Sequence, residues 1–313
     1  MKIIHHNDND GYCAAAVVRH YLVNIYDVPT EKDFFVYNYS NELEFPEIHE
    51  GETVYIVDLS LCDTIVKLIR YAILAGGNVV HIDHHKSTFD YLEDHPDVKE
   101  MVSNITTLYD THLSGALLTF LYDCMSEEER KNPMDVDFYM GEETGWRLQV
   151  GSRFYDIPPV IRYVDDYDRW VFRLPETKMF AYGFDLFEER TKPWAHEWAE
   201  ILMNGNLMGF IDAGEAIYAH KLIEWEYQMK SSHEIEFEGH KCLCVNTTDR
   251  TSDMLGNKIN EYPMCMLYRF NGTKWVYSLR SGENGIDVSE VAKRYGGGGH
   301  PHAAGFSTDN LVI

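Results

Sequence analysis

Two hydrophobic periods alternate along residues 1–90. Residues 2–5, 34–37, 53–57 (TVYIV) and 78–82 (NVVHI) are short apolar or β-branched runs, and each predicts a strand. Between them, residues 11–23 carry Ala14, Ala15, Val17, Val18 and Leu22 at helical spacing. Residues 63–75 repeat that period and stop at Gly76-Gly77. Strands separated by helices predict a parallel sheet with helices on its faces. Downstream, 111–122 and 158–164 read as helices, 187–208 as a helical connector, and 211–230 as a long helix suited to a hinge. Residues 123–157 are polar and aromatic without an assignable period. From about residue 233 the pattern changes to short strands at 233–237, 241–245, 264–270 and 274–278. Glu238-Gly239 and Asn271-Gly272 supply turns. A short helix at 289–295 runs into Gly296-Gly297-Gly298-Gly299-His300. The expected fold class is α/β: an N-terminal parallel sheet flanked by helices (1–186), a helical connector (187–232) and a smaller C-terminal α/β domain (233–313).

Composition changes this picture little. The chain has 313 residues, long enough for two domains with a sizeable core. No apolar run approaches the roughly 20 residues of a membrane span. The start, MKIIHHNDND, lacks a secretory signal's apolar stretch. The expectation is a cytoplasmic protein with no membrane partner. Cys13, Cys62, Cys124 and Cys265 are scattered, and the close pair Cys242 and Cys244 has no second pair to complete a zinc site. They read as small buried residues in a reducing compartment.

Charge narrows the partners. The formal net charge is −24, which argues against tracking long duplex nucleic acid, since phosphate binding rests on Lys and Arg. Residues 270–313 are balanced, so the acidic excess lies in 1–269. Part of it fits a site where bound cations offset carboxylates.

The chemistry gathers just past predicted strand ends. Asp8 and Asp10 follow the first strand, Asp58 the strand at 53–57, and Asp83-His84-His85 the strand at 78–82. In a parallel sheet the ligand site lies outside the carboxyl ends of the strands. Taken singly, each has a plain structural reading: Asp10-Gly11 as a turn, Asp58 as a helix N-cap, Asp83 as a capping loop residue. Capping alone does not require carboxylates and imidazoles to gather on successive strand ends. Metal binding does. The donor set suits Mn²⁺ first, with Zn²⁺, Co²⁺ or Fe²⁺ as alternatives and Mg²⁺ less natural once His is a ligand. Two cations about 3.5–4 Å apart would neutralise a phosphoryl group and activate water.

These segments resemble the DHH phosphoesterases, which include RecJ exonucleases, nano-RNases, cyclic-dinucleotide phosphodiesterases and family II pyrophosphatases. His6-Asn7-Asp8-Asn9-Asp10-Gly11, Asp58 and Asp83-His84-His85 look like the family's first three motifs. Val164-Asp165-Asp166-Tyr167-Asp168-Arg169-Trp170 resembles its fourth, "D-x-D-x-W". Ile4 stands where many members place a His, and His6 lies two before Asp8 instead. Leu279-Arg280-Ser281 with Gly296-Gly297-Gly298-Gly299-His300-Pro301-His302 looks like the GGGH-type DHH-associated domain, whose Gly-rich loop cradles the far end of a nucleotide. Little of 86–157 or 171–270 can be matched.

The resemblance implies a hydrolase with two divalent ions. Asp8 and His6 would hold one. Asp10, His84 and one of Asp166, Asp168 and Asp165, in that order of preference, would hold the other. Asp58 would bridge them. His85 would contact the scissile phosphate or protonate the leaving oxygen, and Asp83 would orient a ligand imidazole. Arg280, Ser281, Gly297, Gly298, Gly299, His300 and His302 would hold the distal part of the substrate, Arg280 bidentately. Trp170 is expected to pack at a domain interface. The expected substrate is a short oligonucleotide, a linear or cyclic dinucleotide, or a 3′-phosphorylated nucleotide. An inorganic pyrophosphatase or polyphosphatase and a non-catalytic nucleotide-binding protein are the rivals. A homodimer through the N-terminal domain is expected by family analogy.

Overall fold

The structure, a computed structural model, describes residues 1–313 except 23–27, 40–42, 142–145, 188–191 and 250–251, and except the side chains of residues 141 and 300. Val23, at the end of an expected helix, and 188–191, within the expected connector, lie outside the described residues. The chain forms two compact units, Met1–Ile217 and Tyr218–Ile313.

The first unit is built on a five-stranded sheet. Its strands are β1 (Lys2–His6), β2 (Phe34–Tyr37), β3 (Thr53–Val57), β4 (Asn78–Asp83) and β5 (Thr106–Tyr109), in the order β2-β1-β3-β4-β5. Every pairing is parallel. Side chains of a strand alternate between faces, so one strand feeds two cores. Tyr55 and Val57 join Ile3 and Ile82 on one face, under α1 (Asn9–Tyr21) and α5 (Gly115–Cys124). Val54 and Ile56 join Ile4 and Val79 on the other, under α2 (Asp63–Leu74) and α4 (Pro96–Val102). Helix α3 (Lys86–Asp94) follows β4 directly. This double coverage explains why the strands read as nearly continuous apolar runs.

The sequence reading missed β5, α3 and α4, which are short and carry weak periodicity. Helix α5 starts at Gly115, later than expected, because the Ser114 side chain accepts from the Leu117 N–H and caps it. The unassigned stretch contains an antiparallel three-stranded sheet, β6 (Phe138–Gly141), β7 (Arg147–Val150) and β8 (Arg153–Asp156). Helix α6 (Pro159–Asp168) runs past the expected 158–164. Helices α7 (Thr177–Phe184) and α8 (Glu197–Asn204) precede α9 (Met208–Met229).

The second unit is a six-stranded mixed sheet, order β13-β14-β12-β11-β10-β9. It comprises β9 (His233–Phe237), β10 (His240–Asn246), β11 (Met264–Phe270), β12 (Trp275–Arg280), β13 (Gly298–His300) and β14 (Ala303–Thr308), with α10 (Val288–Arg294). Its core includes Cys242, Met266, Tyr277, Val288 and Phe306. Glu238 and Gly239 have φ of 52° and 79°, the left-handed pair that a tight hairpin turn requires. All six cysteines are free. Among the described residues no helix is long and apolar enough to cross a membrane.

Candidate metal centre

Strands β1, β3 and β4 are parallel, so their C-terminal ends share one edge of the sheet. Asp8 follows β1 and caps α1. Its Oδ1 accepts the Gly11 N–H at 2.9 Å, and its Oδ2 lies 2.6 Å from His6 Nδ1. A Cβ on Gly11 would lie 2.4 Å from the His6 carbonyl oxygen, so only glycine lets the helix start this close to β1. Asp10 is buried, and its carboxylate accepts the N–H groups of Gly115 (2.6 Å) and Ala116 (2.9 Å). Unpaired N–H groups at the start of α5 thereby stabilise an anion away from water. Asp58 follows β3 with φ 57°, a left-handed conformation uncommon outside glycine, and its N–H donates to the Ile82 carbonyl at 2.9 Å.

Asp58 stands between two groups of donors. Its Oδ2 is 3.8 Å from His6 Nδ1, on the side of Asp8. Its Oδ1 is 3.2 Å from His84 Nε2, which is itself 3.7 Å from Asp10 Oδ2 and 3.5 Å from Asp168 Oδ2. Three sets of donor atoms lie within 4.8 Å of one another: His6, Asp8 and Asp58; Asp10, His84 and Asp168; Asp58, His84 and His85. Both carboxylate oxygens of Asp58 and Nε2 of His84 are buried without a hydrogen-bond partner among the described residues. A buried polar atom left unpaired costs about 1–3 kcal/mol, more when charged. Oxygen and imidazole donors orphaned together at one edge fit divalent cations.

The electrostatics agree. Burial and the charges of Asp10 and Asp8 push the Asp58 carboxyl well above its ordinary range. Loss of water and the same two neighbours raise Asp168. Burial lowers His84. These shifts make neutral groups of residues that would be costly to charge in each other's company, and cations would reverse them. Asp83 and His85 form a separate pair. Burial opposes charge on both, but the 2.7 Å contact between His85 Nδ1 and Asp83 Oδ1 wins. It holds Asp83 down at about 2 and lifts His85 to about 9. Thr88 Oγ1 donates to the other Asp83 oxygen.

One expectation and one alternative reading change. Asp166, preferred on sequence as a ligand, is outside the donor sets. Its carboxylate accepts Arg173 N–H (2.8 Å), Leu174 N–H (3.0 Å) and Thr177 Oγ1, so both oxygens are committed to the loop after α6. Asp165 is bound by Arg169 and by the Ser114 N–H. Residues 165, 166 and 168 of one helix point in different directions at about 100° per residue, and Asp168 is the one that meets His84. Likewise Cys62, not Asp58, is the N-cap of α2. Sequence reading also missed Gly115, where a Cβ would lie 2.7 Å from Asp58 Cβ. It missed His81 as well, whose Nε2 lies 2.7 Å from the Leu59 carbonyl oxygen and whose Nδ1 lies 2.8 Å from Tyr109 Oη, steadying the turn after Asp58. An N-cap serine before a small residue was the only signal for Gly115.

In the second unit Arg280 pairs with Ala303 across β12 and β14. The Ser281 hydroxyl lies 2.9 Å from His302 Nδ1, and the Ser281 N–H donates to the His302 carbonyl. Gly298 and Gly299 are strand residues of β13 rather than a free loop, and a Cβ on Gly297 would strike the Gly305 carbonyl oxygen at 2.1 Å. Residues 280–281 thus meet residues 302–303, distant in sequence, while 298–300 lie on β13, across β14 from β12.

Residues 246–311 match the DHHA1 domain. The chain is similar to an uncharacterised protein of Acanthamoeba polyphaga mimivirus, with 26% identity over 67% of this chain and 49% of that one. It is similar to oligoribonuclease NrnB of Bacillus subtilis, with 23% identity over 85% of this chain and 62% of that one. The chain therefore spans about half to three-fifths of the length of these relatives. A pGpG-specific phosphodiesterase from Vibrio cholerae aligns over 98% of this chain and 92% of its own, at 9% identity and a TM-score of 0.44. An Asp-His-His segment stands at the sheet edge, and the stretch similar to a DHHA1 domain follows it in the chain.

Proposed function

We propose that the protein is a phosphoesterase that hydrolyses short oligonucleotides, dinucleotides or 3′-phosphorylated nucleotides with two divalent cations, Mn²⁺ foremost. The observation that carries this reading is Asp58, buried with both oxygens unpaired between two sets of donors. His6 and Asp8 would hold one ion, and Asp10, His84 and Asp168 the other, with one Asp58 oxygen facing each. The cations would supply an activated water and neutralise the phosphoryl oxygens. That charge is needed, because the cavity beside the cluster is lined by Asp8, Asp10, Asp168 and Asp185 and, among the described residues, by no Lys or Arg.

His85 keeps a proton near neutral pH through its bond to Asp83. Asp83 fixes Nδ1, so Nε2 is the nitrogen that would donate to a phosphoryl oxygen or protonate the leaving oxygen. Arg280, Ser281, His300 and His302, with Gly297, Gly298 and Gly299, would hold the distal end of the nucleotide. The 23% identical oligoribonuclease supports a short nucleic-acid substrate.

The test is Mn²⁺-dependent hydrolysis of a ribodinucleotide, of a 3′,5′-bisphosphate nucleotide and of inorganic pyrophosphate, by wild type and Asp58→Asn. The substitution keeps the size and tolerates the left-handed backbone. Losing metal charge stabilisation of several kcal/mol lowers turnover by ~10²–10⁴-fold. Full Mn²⁺-dependent activity in Asp58→Asn would defeat the mechanism, and release of phosphate from pyrophosphate alone would defeat the substrate class.

A further inference from the structure

The cavity beside the metal cluster, of about 380 Å³, has two unlike walls. One is polar: Asn7, Asp8, Asn9, Asp10, Asp168 and Asp185. The other is apolar: Val164, Tyr167 and Trp170. Trp170 is 46% exposed, rare for the residue type with the most apolar surface to hide.

Its conformation is costly as well. Trp170 has φ 60° and Phe172 has φ 55°, left-handed values that burden a bulky L residue by roughly 1–2 kcal/mol each. The loop is held there by Asp166. Its carbonyl accepts the Val171 N–H, and its buried carboxylate accepts the Arg173 and Leu174 N–H groups and the Thr177 hydroxyl. The indole meets Phe172 edge-on, with ring centroids 4.7 Å apart, and lies 5.5 Å from the Tyr167 ring. The Lys178 ammonium is 4.7 Å from the Phe172 centroid and 6.0 Å from that of Trp170. A buried carboxylate, a neighbouring ring and a strained backbone therefore position an indole that remains nearly half exposed. Packing within the unit does not account for that arrangement, since a buried rotamer on ordinary backbone would stabilise it more. Strain of this kind persists where the surroundings over-determine it, and it gathers at ligand sites.

We infer that Trp170 is the stacking platform for the base of the nucleotide whose phosphate lies at the Asp8, Asp10 and Asp168 wall, and that it selects base-bearing substrates over inorganic polyphosphates. This rests on the proposed phosphoesterase activity. A planar base beside a phosphate is the ligand that has a use for one acidic, cation-loaded wall and one aromatic wall. Pyrophosphate has no group for the indole. A ring face accepts any base, so the preference is for a base at all rather than for one identity.

The test uses the full chain with Mn²⁺, the ribodinucleotide pApA, and two analogues in which one or the other nucleoside is abasic. Wild type, Trp170→Phe and Trp170→Leu are compared. One stacked base contributes about 1–3 kcal/mol, so Trp170→Leu is expected to raise KM for pApA by about 5- to 150-fold. Trp170→Phe keeps most of the affinity. On one of the two abasic analogues the ratio of wild-type to Trp170→Leu kcat/KM collapses toward one, while on the other it persists. An equal loss on pApA and both analogues shows that the indole only supports the fold and overturns the inference, as does no loss on any. If wild type cleaves no dinucleotide, the parent reading fails first, a result visible without any Trp170 variant.

Discussion

Replacing Gly115 with alanine adds one methyl group at the most crowded point of the centre. The new carbon would lie 2.7 Å from Asp58 Cβ, 2.9 Å from Asp58 Oδ1 and 3.0 Å from Asp10 Oδ2. Non-bonded carbons rest at about 3.5–4.0 Å, so the groups must part by roughly 1 Å. Neither neighbour yields easily. Asp58 is buried on left-handed backbone and tied to Ile82, and Asp10 is held by the N–H groups of Gly115 and Ala116. Overpacking of this kind costs ~1–3 kcal/mol. Alanine's better helix propensity returns at most about 1 kcal/mol, so the net effect is destabilising. The larger effect is on chemistry, where a shift of about 1 Å costs on the order of 10²-fold in rate. Calorimetric titration with Mn²⁺, thermal unfolding with and without Mn²⁺, and kcat/KM on a dinucleotide measure the three quantities. Gly209→Ala in α9, where the added carbon meets nothing within 4 Å, is the control and stays near wild type. Wild-type Mn²⁺ affinity and turnover in Gly115→Ala would refute the placement of Asp58 and Asp10 as ligands.

The roles of two neighbours on α6 separate by the same means. Asp166→Ala leaves two backbone N–H groups without acceptors and is expected to lower stability by ~2–4 kcal/mol while Mn²⁺ affinity changes little. Asp168→Ala removes a carboxylate held beside Asp10 and Asp8. It therefore keeps or raises the stability of the metal-free protein and lowers Mn²⁺ affinity by ~10²-fold or more. The reverse pattern in denaturant unfolding and metal titration would return Asp166 to the ligand set. The pH dependence follows from Asp58 and Asp168, whose folded carboxyls are raised. A raised group contributes stability at low pH and loses it as pH climbs through the folded value. The contribution of these carboxyls to the stability of the chelated protein is therefore expected to fall as pH climbs above the ordinary carboxylate range, and the rise in Tm on adding Mn²⁺ to grow with it, because metal displaces protons. A Tm gain independent of pH would show that these carboxyls are already ionised without metal.

Four of the five strands of the first sheet were legible because burial on both faces leaves almost unbroken apolar runs, and a parallel sheet puts their ends on one edge. Asp8, Asp10, Asp58 and Asp83-His84-His85 could be read as one site from their position after those runs. The antiparallel strands within 123–157 were not legible. They are four residues long, they expose aromatic residues such as Tyr139 and Phe154, and among their described residues only Leu148 and Val150 of the middle strand are buried in the core, so no clean alternation marks them. Composition and order along the chain thus determined the α/β class, the strand ends that bear chemistry, and the donor types that favour divalent metal. Tertiary structure alone decided which aspartate of α6 meets His84. Helical rotation separates Asp165, Asp166 and Asp168 in direction, and only the packing of α6 beside α1 and α5 turns one of them to the centre. Tertiary structure likewise revealed why residue 115 must be glycine, since the atoms it would strike belong to residues more than fifty positions away in sequence.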